Sequence, residues 1–293
     1  MSAALKVATC QFSVEADVAS NRDAIVAKIA EAAARGARIA HFPESALSGY
    51  AGVDVPGSEH FDWPALRQGL EAVAAAAAQH KIWVVVGSAH RLSGTTKPHN
   101  SLYVISDAGR VVDRYDKRFC TGNAGPDATL DLCHYTPGDH ATVFDVDGVR
   151  CGVLICYDYR FPELFRDLKR RGVELLLHSY HNARKDRETF EHGNLWKDVV
   201  PAVMMAAAAQ NYFWVSASNS TTQYTLWPSF FVRPDGLLTG QLAWHEPGVL
   251  VNEVRRDSDI WDAPGQWRDR ALEGRLHSGE LVDDPRSQDR TCY

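Results

Sequence analysis

Four side chains carry most of the chemical potential of this sequence: the thiol of Cys156, the carboxylates of Glu44 and Asp131, and the ammonium of Lys117. Cys156 ends an apolar run from Val149 to Ile155, and Pro162, a residue suited to the first turn of a helix, follows shortly after. That pattern predicts a strand, a sharp elbow and a helix. Such an elbow exposes a nucleophile while the sheet behind it fixes its position, and the backbone N–H groups at the helix start can receive an oxyanion. The competing reading of a single thiol after an apolar strand is a buried structural cysteine. Glu44 is delivered at the carboxyl end of a predicted strand over 37–43, Lys117 closes another over 111–117, and Asp131 lies in the irregular stretch that follows. Taken singly, these could be a helix cap or surface charge, a solvated strand end and an ordinary loop residue.

The elements that must position these groups are readable from periodicity. Residues 6–12 alternate, with Val7, Thr9 and Gln11 on one face and Ala8, Cys10 and Phe12 on the other. A helix with Ser20 as its cap follows, carrying Ile25 and Ile29 inward and ending at Gly36. Another starts at Pro64. The strand over 82–87 is too apolar to face water on either side, so layers above and below it are expected. Hairpins are predicted at Asp107-Ala108-Gly109 and at Asp147-Gly148. The text from Arg118 to Gly138 is loop-like, and a helix over 162–171 precedes a strand over 173–177. A long helix spans 186–210, interrupted or kinked near Pro201. Further strands follow over 213–218, 229–233 and 237–241, and no internal sequence repeat is visible.

Composition narrows the class. The 293 residues can bury a full core, and 45% hydrophobic with 23% charged residues is ordinary for a globular protein. A net charge of -6 without a basic patch argues against nucleic acid and anionic membrane as partners. The N-terminal residues lack a signal-peptide core and no apolar run reaches the ~18 residues needed to span a bilayer, so a cytoplasmic location is expected. Six cysteines without a CxxC pair fit a reducing compartment better than a disulfide framework or zinc site.

The order and local context of Phe42-Pro43-Glu44, Tyr115-Asp116-Lys117 and Cys156-Tyr157-Asp158-Tyr159-Arg160-Phe161-Pro162-Glu163 resemble the nitrilase, or carbon-nitrogen hydrolase, superfamily. Asn100-Ser101, Tyr135-Thr136-Pro137-Gly138 and Pro234-Asp235-Gly236 extend the resemblance from about Lys6 to Val254. It implies an α/β fold, a four-layer α-β-β-α sandwich over 1–254; the charged stretch 255–293, with Pro264, Pro285 and no clear periodicity, reads by itself as an arm lying on the surface or across a partner subunit, or as disordered at its tip. The resemblance also implies a homodimer or higher homo-oligomer. By the same resemblance Glu44 is the general base, Lys117 the transition-state stabiliser and Cys156 the nucleophile, with the Tyr157 N–H as a further oxyanion donor. Many relatives carry a second, substrate-positioning glutamate where this chain has Asp131; either Asp131 keeps that role or the second acid lies elsewhere.

Cys156-Tyr157-Asp158 looks like the amidase and carbamoylase branches, whereas nitrilases tend to read Cys-Trp-Glu. A small amide or N-carbamoyl substrate is therefore expected, cleaved through an acyl-thioester without metal or cofactor. Nitrile hydrolysis, acyl transfer and a non-catalytic homologue are the alternatives. Arg160 reads either as a partner for a substrate carboxylate or as an ion-pair partner of Asp158 and Glu163. His178, His181 and His192 are expected to line the pocket mouth.

Overall fold

The structure, a computed structural model, describes residues 4–182, 191, 194–257 and 259–291. In chain order the elements are β1 (Leu5–Gln11), α1 (Val18–Ala34), β2 (Ile39–His41), α2 (Trp63–His80), β3 (Trp83–His90), β4 (His99–Ile105) and β5 (Val111–Asp116). A helical turn, α3 (Asp131–His134), leads to β6 (Val143–Val146), β7 (Val149–Ile155), α4 (Pro162–Arg170), β8 (Leu175–Ser179), α5 (Trp196–Asn211), β9 (Trp214–Ser218), β10 (Phe230–Val232), β11 (Leu238–Gln241) and β12 (Gly248–Val254). Two C-terminal helices follow, α6 (Gly265–Leu272) and α7 (Pro285–Gln288).

The strands form two six-stranded sheets, ordered β12-β1-β2-β3-β4-β5 and β11-β10-β9-β8-β7-β6. Each has a parallel centre, β1-β2-β3 in one and β7-β8-β9 in the other, extended by antiparallel strands. The run β1-α1-β2-α2-β3-β4-β5 and the run β7-α4-β8-α5-β9-β10-β11 therefore share one connectivity, and β12 and β6 pair with the first strand of each. The chain repeats a topology without repeating a sequence, because a two-sided buried strand demands only apolarity, which many sequences supply.

The sheets lie face to face between helical layers, giving the α-β-β-α sandwich. One cluster runs from Val7, Ile39 and Leu102 of the first sheet through Val153, Leu177 and Val215 of the second to Phe165 and Met204 of α4 and α5. A second, with Ala8, Phe42, Ile25, Val73 and Val84, fills the space under α1 and α2. The alternation read in β1 holds, with Val7 in the first cluster and Ala8, Cys10 and Phe12 in the second.

Several local expectations change. Asp17 rather than Ser20 caps α1, its carboxylate accepting the Ser20 N–H at 2.9 Å. Helix α5 passes through Pro201 without a break, and 183–190 and 192–193, where the longer helix was expected to begin and where His192 lies, fall outside the described residues. The C-terminal stretch, aperiodic in sequence, contains α6; its anchor is the buried Arg268, which donates to the Gln210 carbonyl, pairs with Asp262 and lies over the Tyr212 ring. A charged anchor leaves no apolar stripe to read. Among the described residues, no helix is long and apolar enough to cross a membrane.

Candidate active site

Glu44, Lys117 and Cys156 stand just past the ends of β2, β5 and β7 and meet between the sheets. Glu44 is fully buried and Lys117 is 1% exposed, with Nζ 2.9 Å from Glu44 Oε1. Asp131, which opens α3, takes the same ammonium at 2.8 Å through Oδ2, and Tyr50 bridges the two by donating to Asp131 Oδ1 at 2.6 Å and accepting from Lys117 Nζ at 3.2 Å. The Thr121 N–H completes the Asp131 shell. Burial opposes the lysine's charge, yet Asp131 and Glu44 outweigh it and hold its pKa well above the ordinary value. Burial likewise raises Asp131, but Lys117 and the Tyr50 hydroxyl overcome it and leave the carboxyl below its usual range.

The acceptor sites of Glu44 are nearly spoken for. Oε1 accepts from Asn100 Nδ2 at 2.8 Å and from Lys117, while Oε2 accepts the His181 N–H at 3.0 Å. A carboxylate offers about four lone-pair sites, so Oε2 keeps one. Burial first, with Glu44's charge second, pushes the Cys156 thiol's pKa well above the ordinary value. The sulfur is therefore a thiol whose proton has one natural acceptor.

Cys156 sits at φ +37°, the left-handed region that costs a non-glycine residue roughly 1–3 kcal/mol. Asp158 holds it there. Its Oδ2 accepts the Ile155 N–H at 3.0 Å and the Tyr115 hydroxyl at 2.7 Å, and its Oδ1 accepts the Phe119 N–H at 3.0 Å, tying the elbow to the end of β5. From behind, His178 Nε2–H donates to the Cys156 carbonyl at 3.1 Å and its ring stacks on Tyr180 at 4.4 Å. Burial drops the His178 pKa to about 3, so the ring is neutral.

The Glu44 end is fixed by a chain of hydrogen bonds between the sheets. Ser179 Oγ donates to the Phe42 carbonyl at 2.8 Å, so the 2.9 Å contact to His41 Nε2 must be donated by the ring. His41 Nδ1 then accepts from Ser216 Oγ at 2.8 Å, which accepts in turn from Thr9 Oγ1 at 2.6 Å. Burial keeps His41 neutral, its pKa near 3, as this direction requires. Main-chain packing closes the other side: a Cβ on Gly87 would lie 2.4 Å from both the Pro43 carbonyl oxygen and the Ser45 nitrogen, so only glycine fits there.

The structure thus brings Glu44, Lys117, Asp131 and Cys156 together, with Tyr157 half-buried immediately after the thiol. His178 contacts the Cys156 carbonyl, and His181 lies on Asp54 at 2.7 Å. Arg160 is exposed, its guanidinium 4.5 Å from the Trp196 ring centroid and 5.0 Å from that of Tyr159, a cation–π sandwich where an ion pair with Asp158 or Glu163 was expected; Asp158 is taken up by the elbow. Sequence reasoning gave no role to Tyr50, Asp54 or Asn100, and none to Asp158 as the elbow clamp. Asn100 was the accessible one, since it stands directly before a readable strand stretch.

Comparison with known proteins agrees with this geometry. A model of the family described as "Carbon-nitrogen hydrolase" matches residues 6–258. Nitrilase homolog 2 of Dictyostelium discoideum is 29% identical over 153 residues, 51% of this chain and 46% of that protein. The chloroplastic omega-amidase of Arabidopsis thaliana is 27% identical over 257 residues, 85% of this chain and 67% of the relative. The chain spans about half the length of the first curated relatives it matches. Among solved structures, the nitrilase-superfamily amidase of Nesterenkonia AN1 superposes with a TM-score of 0.74 at 22% identity, covering 94% of this chain and 98% of the other, a likeness of fold.

Proposed function

Given that this chain belongs to the carbon-nitrogen hydrolase family, we propose that it hydrolyses a small non-peptide amide or N-carbamoyl compound through an acyl-thioester on Cys156. The observation that carries the reading is the buried Lys117–Glu44 pair beside the Cys156 thiol, whose pKa the charge of Glu44 helps to raise. A thiol pushed above its ordinary pKa is a poor nucleophile until a base removes its proton during attack. Glu44 is that base.

As the C–S bond forms, the carbonyl π electrons move onto oxygen. Lys117 faces the resulting oxyanion together with the Tyr157 N–H, a kind of donor typically worth ~2.7–4 kcal/mol. Glu44, now protonated, gives its proton to the departing nitrogen as the C–N bond breaks, releasing ammonia or an amine. It then takes a proton from the water that attacks the thioester, returning the thiol and a carboxylic or carbamic acid. Asp131 takes the place of the second glutamate: it is anionic, buried and hydrogen-bonded to Lys117, so it orients the ammonium and presents an acceptor to the substrate nitrogen. The omega-amidase relative favours an amide over a carbamoyl substrate.

The test is ammonia release from a panel of small amides, including ω-amides of dicarboxylic acids, N-carbamoyl amino acids and nitriles, by wild type and Cys156→Ala, with the acyl-enzyme trapped by acid quench and intact mass. Release that persists undiminished in Cys156→Ala on a substrate of the wild type would refute thiol catalysis. Exposed Trp261, Leu276, Leu281 and Val282 on the C-terminal arm support self-association, which sedimentation of the full chain would measure.

A further inference from the structure

Beyond the triad, the buried site holds a third carboxylate. Asp54, in the connection after β2, has a side chain only 6% exposed; its Oδ2 accepts the Tyr50 N–H at 2.9 Å and meets His181 Nε2 at 2.7 Å. The His181 side chain is wholly buried, its ring stands edge-on to Tyr50 at 5.5 Å, and its own N–H is the donor to Glu44 Oε2. Glu44, Asp131 and Asp54 surround one lysine, with Asp158 held apart by the elbow donors, and a buried charge without a partner is expensive. A second cation is needed.

We propose that His181, held on Asp54, is a positioning residue that keeps Glu44 Oε2 aimed at the Cys156 thiol and supplies the second cation beside it. The proposal rests on the reading of Glu44 as base given above. Two observations converge on it. The Asp54 contact fixes the ring, and through the ring the peptide N–H that takes one Oε2 lone pair and leaves the other for sulfur. Burial alone would strip the imidazole of its proton, but the charge and hydrogen bond of Asp54, with Glu44 adding, outweigh it and raise its pKa above 6.5. The other titratable groups around this pair among the described residues are Lys117 at the end of β5, Asp131 on α3, Cys156 after β7, Asp158 in the elbow and the hydroxyls of Tyr50, Tyr135 and Tyr180, the last four raised by burial; His178 and His41 are neutral.

The consequence is a charge rule. Removing the imidazole while Asp54 remains leaves two excess negative charges near the Cys156 thiol, whose pKa negative neighbours already raise, so its proton becomes harder to remove. Replacing both partners by a hydrogen-bonded amide pair restores the balance.

The probe is iodoacetamide, with alkylation at Cys156 followed by peptide mass mapping between pH 5.5 and 9. In His181→Gln the rate–pH profile should move about one unit to higher pH, a fall of about tenfold near pH 7. In the double variant Asp54→Asn/His181→Gln it should return to within about threefold of wild type across the range. A His181→Gln profile that superimposes on wild type, or single and double variants slowed equally at every pH, would overturn the proposal. Parallel turnover assays of wild type and Cys156→Ala judge the hydrolase reading separately, because alkylation needs no substrate.

Discussion

Asp158 offers the sharpest test of how the nucleophile is held. In Asp158→Ala the Ile155 and Phe119 N–H groups and the Tyr115 hydroxyl lose their acceptor inside a fully buried site. Each orphaned donor costs about 1–3 kcal/mol, so roughly 3–9 kcal/mol is lost when the acid is neutral. An opposing cost falls on the wild type. Burial raises the Asp158 pKa from 3.8 to about 6, with the Tyr115, Ile155 and Phe119 donors only partly offsetting it, so carrying the charge in the folded state costs about 3 kcal/mol. An acid raised in this way contributes fully below its unfolded value and loses that contribution as pH climbs through its native one. The stability gap between wild type and Asp158→Ala should therefore be widest below about pH 3.8 and narrower by about 3 kcal/mol at pH 7.5. Urea unfolding of both proteins at several pH values measures it, and taking the difference cancels titrations common to both. A gap that stays constant or widens with pH would show that Asp158 is not a strained buried acid. The same variant should lose Cys156 alkylation, since φ +37° would relax.

Other outcomes follow from the same geometry. Asp131→Ala leaves Lys117 with one carboxylate and should lower kcat/KM by at least about a hundredfold, ~2.7 kcal/mol or more, with Asp131→Glu losing less; steady-state kinetics on one amide decides, and full activity of the alanine variant would remove Asp131 from the site. Gly87→Ala should push the Glu44 peptide aside, because its Cβ meets main chain rather than yielding side chains. A displacement near 1 Å costs about a hundredfold in rate, and kinetics beside a thermal melt would expose a harmless substitution. Cys156→Ala should abolish turnover and keep the melting transition.

Legibility in the sequence followed distance. Glu44, Lys117 and Cys156 each close an element whose apolar pattern is local, so their placement could be read without knowing what they meet. Tyr50 was silent because its partners, Lys117 and Asp131, are 67 and 81 residues away, and nothing near it in the chain signals a bridge. Asp54 and His181 are 127 residues apart and silent for the same reason. Asp158 was visible as a charge near Arg160, and charge proximity in sequence suggested a pair. In space the backbone donors of the elbow claim the carboxylate, and the guanidinium finds aromatic faces instead. The sandwich itself was legible only through the resemblance, since apolar strands announce layers without stating their order.

The matching connectivity of the two runs of strands divides the labour of the chain. Glu44 and Lys117 ride on the first run, Cys156 and His181 on the second, and the seam where the two copies face each other is where acid, amine and sulfur come within reach. Neither copy owns a complete set of reactive groups. The first sheet is itself closed by β12 from the far end of the chain, so the set of groups is complete only when the whole chain has folded.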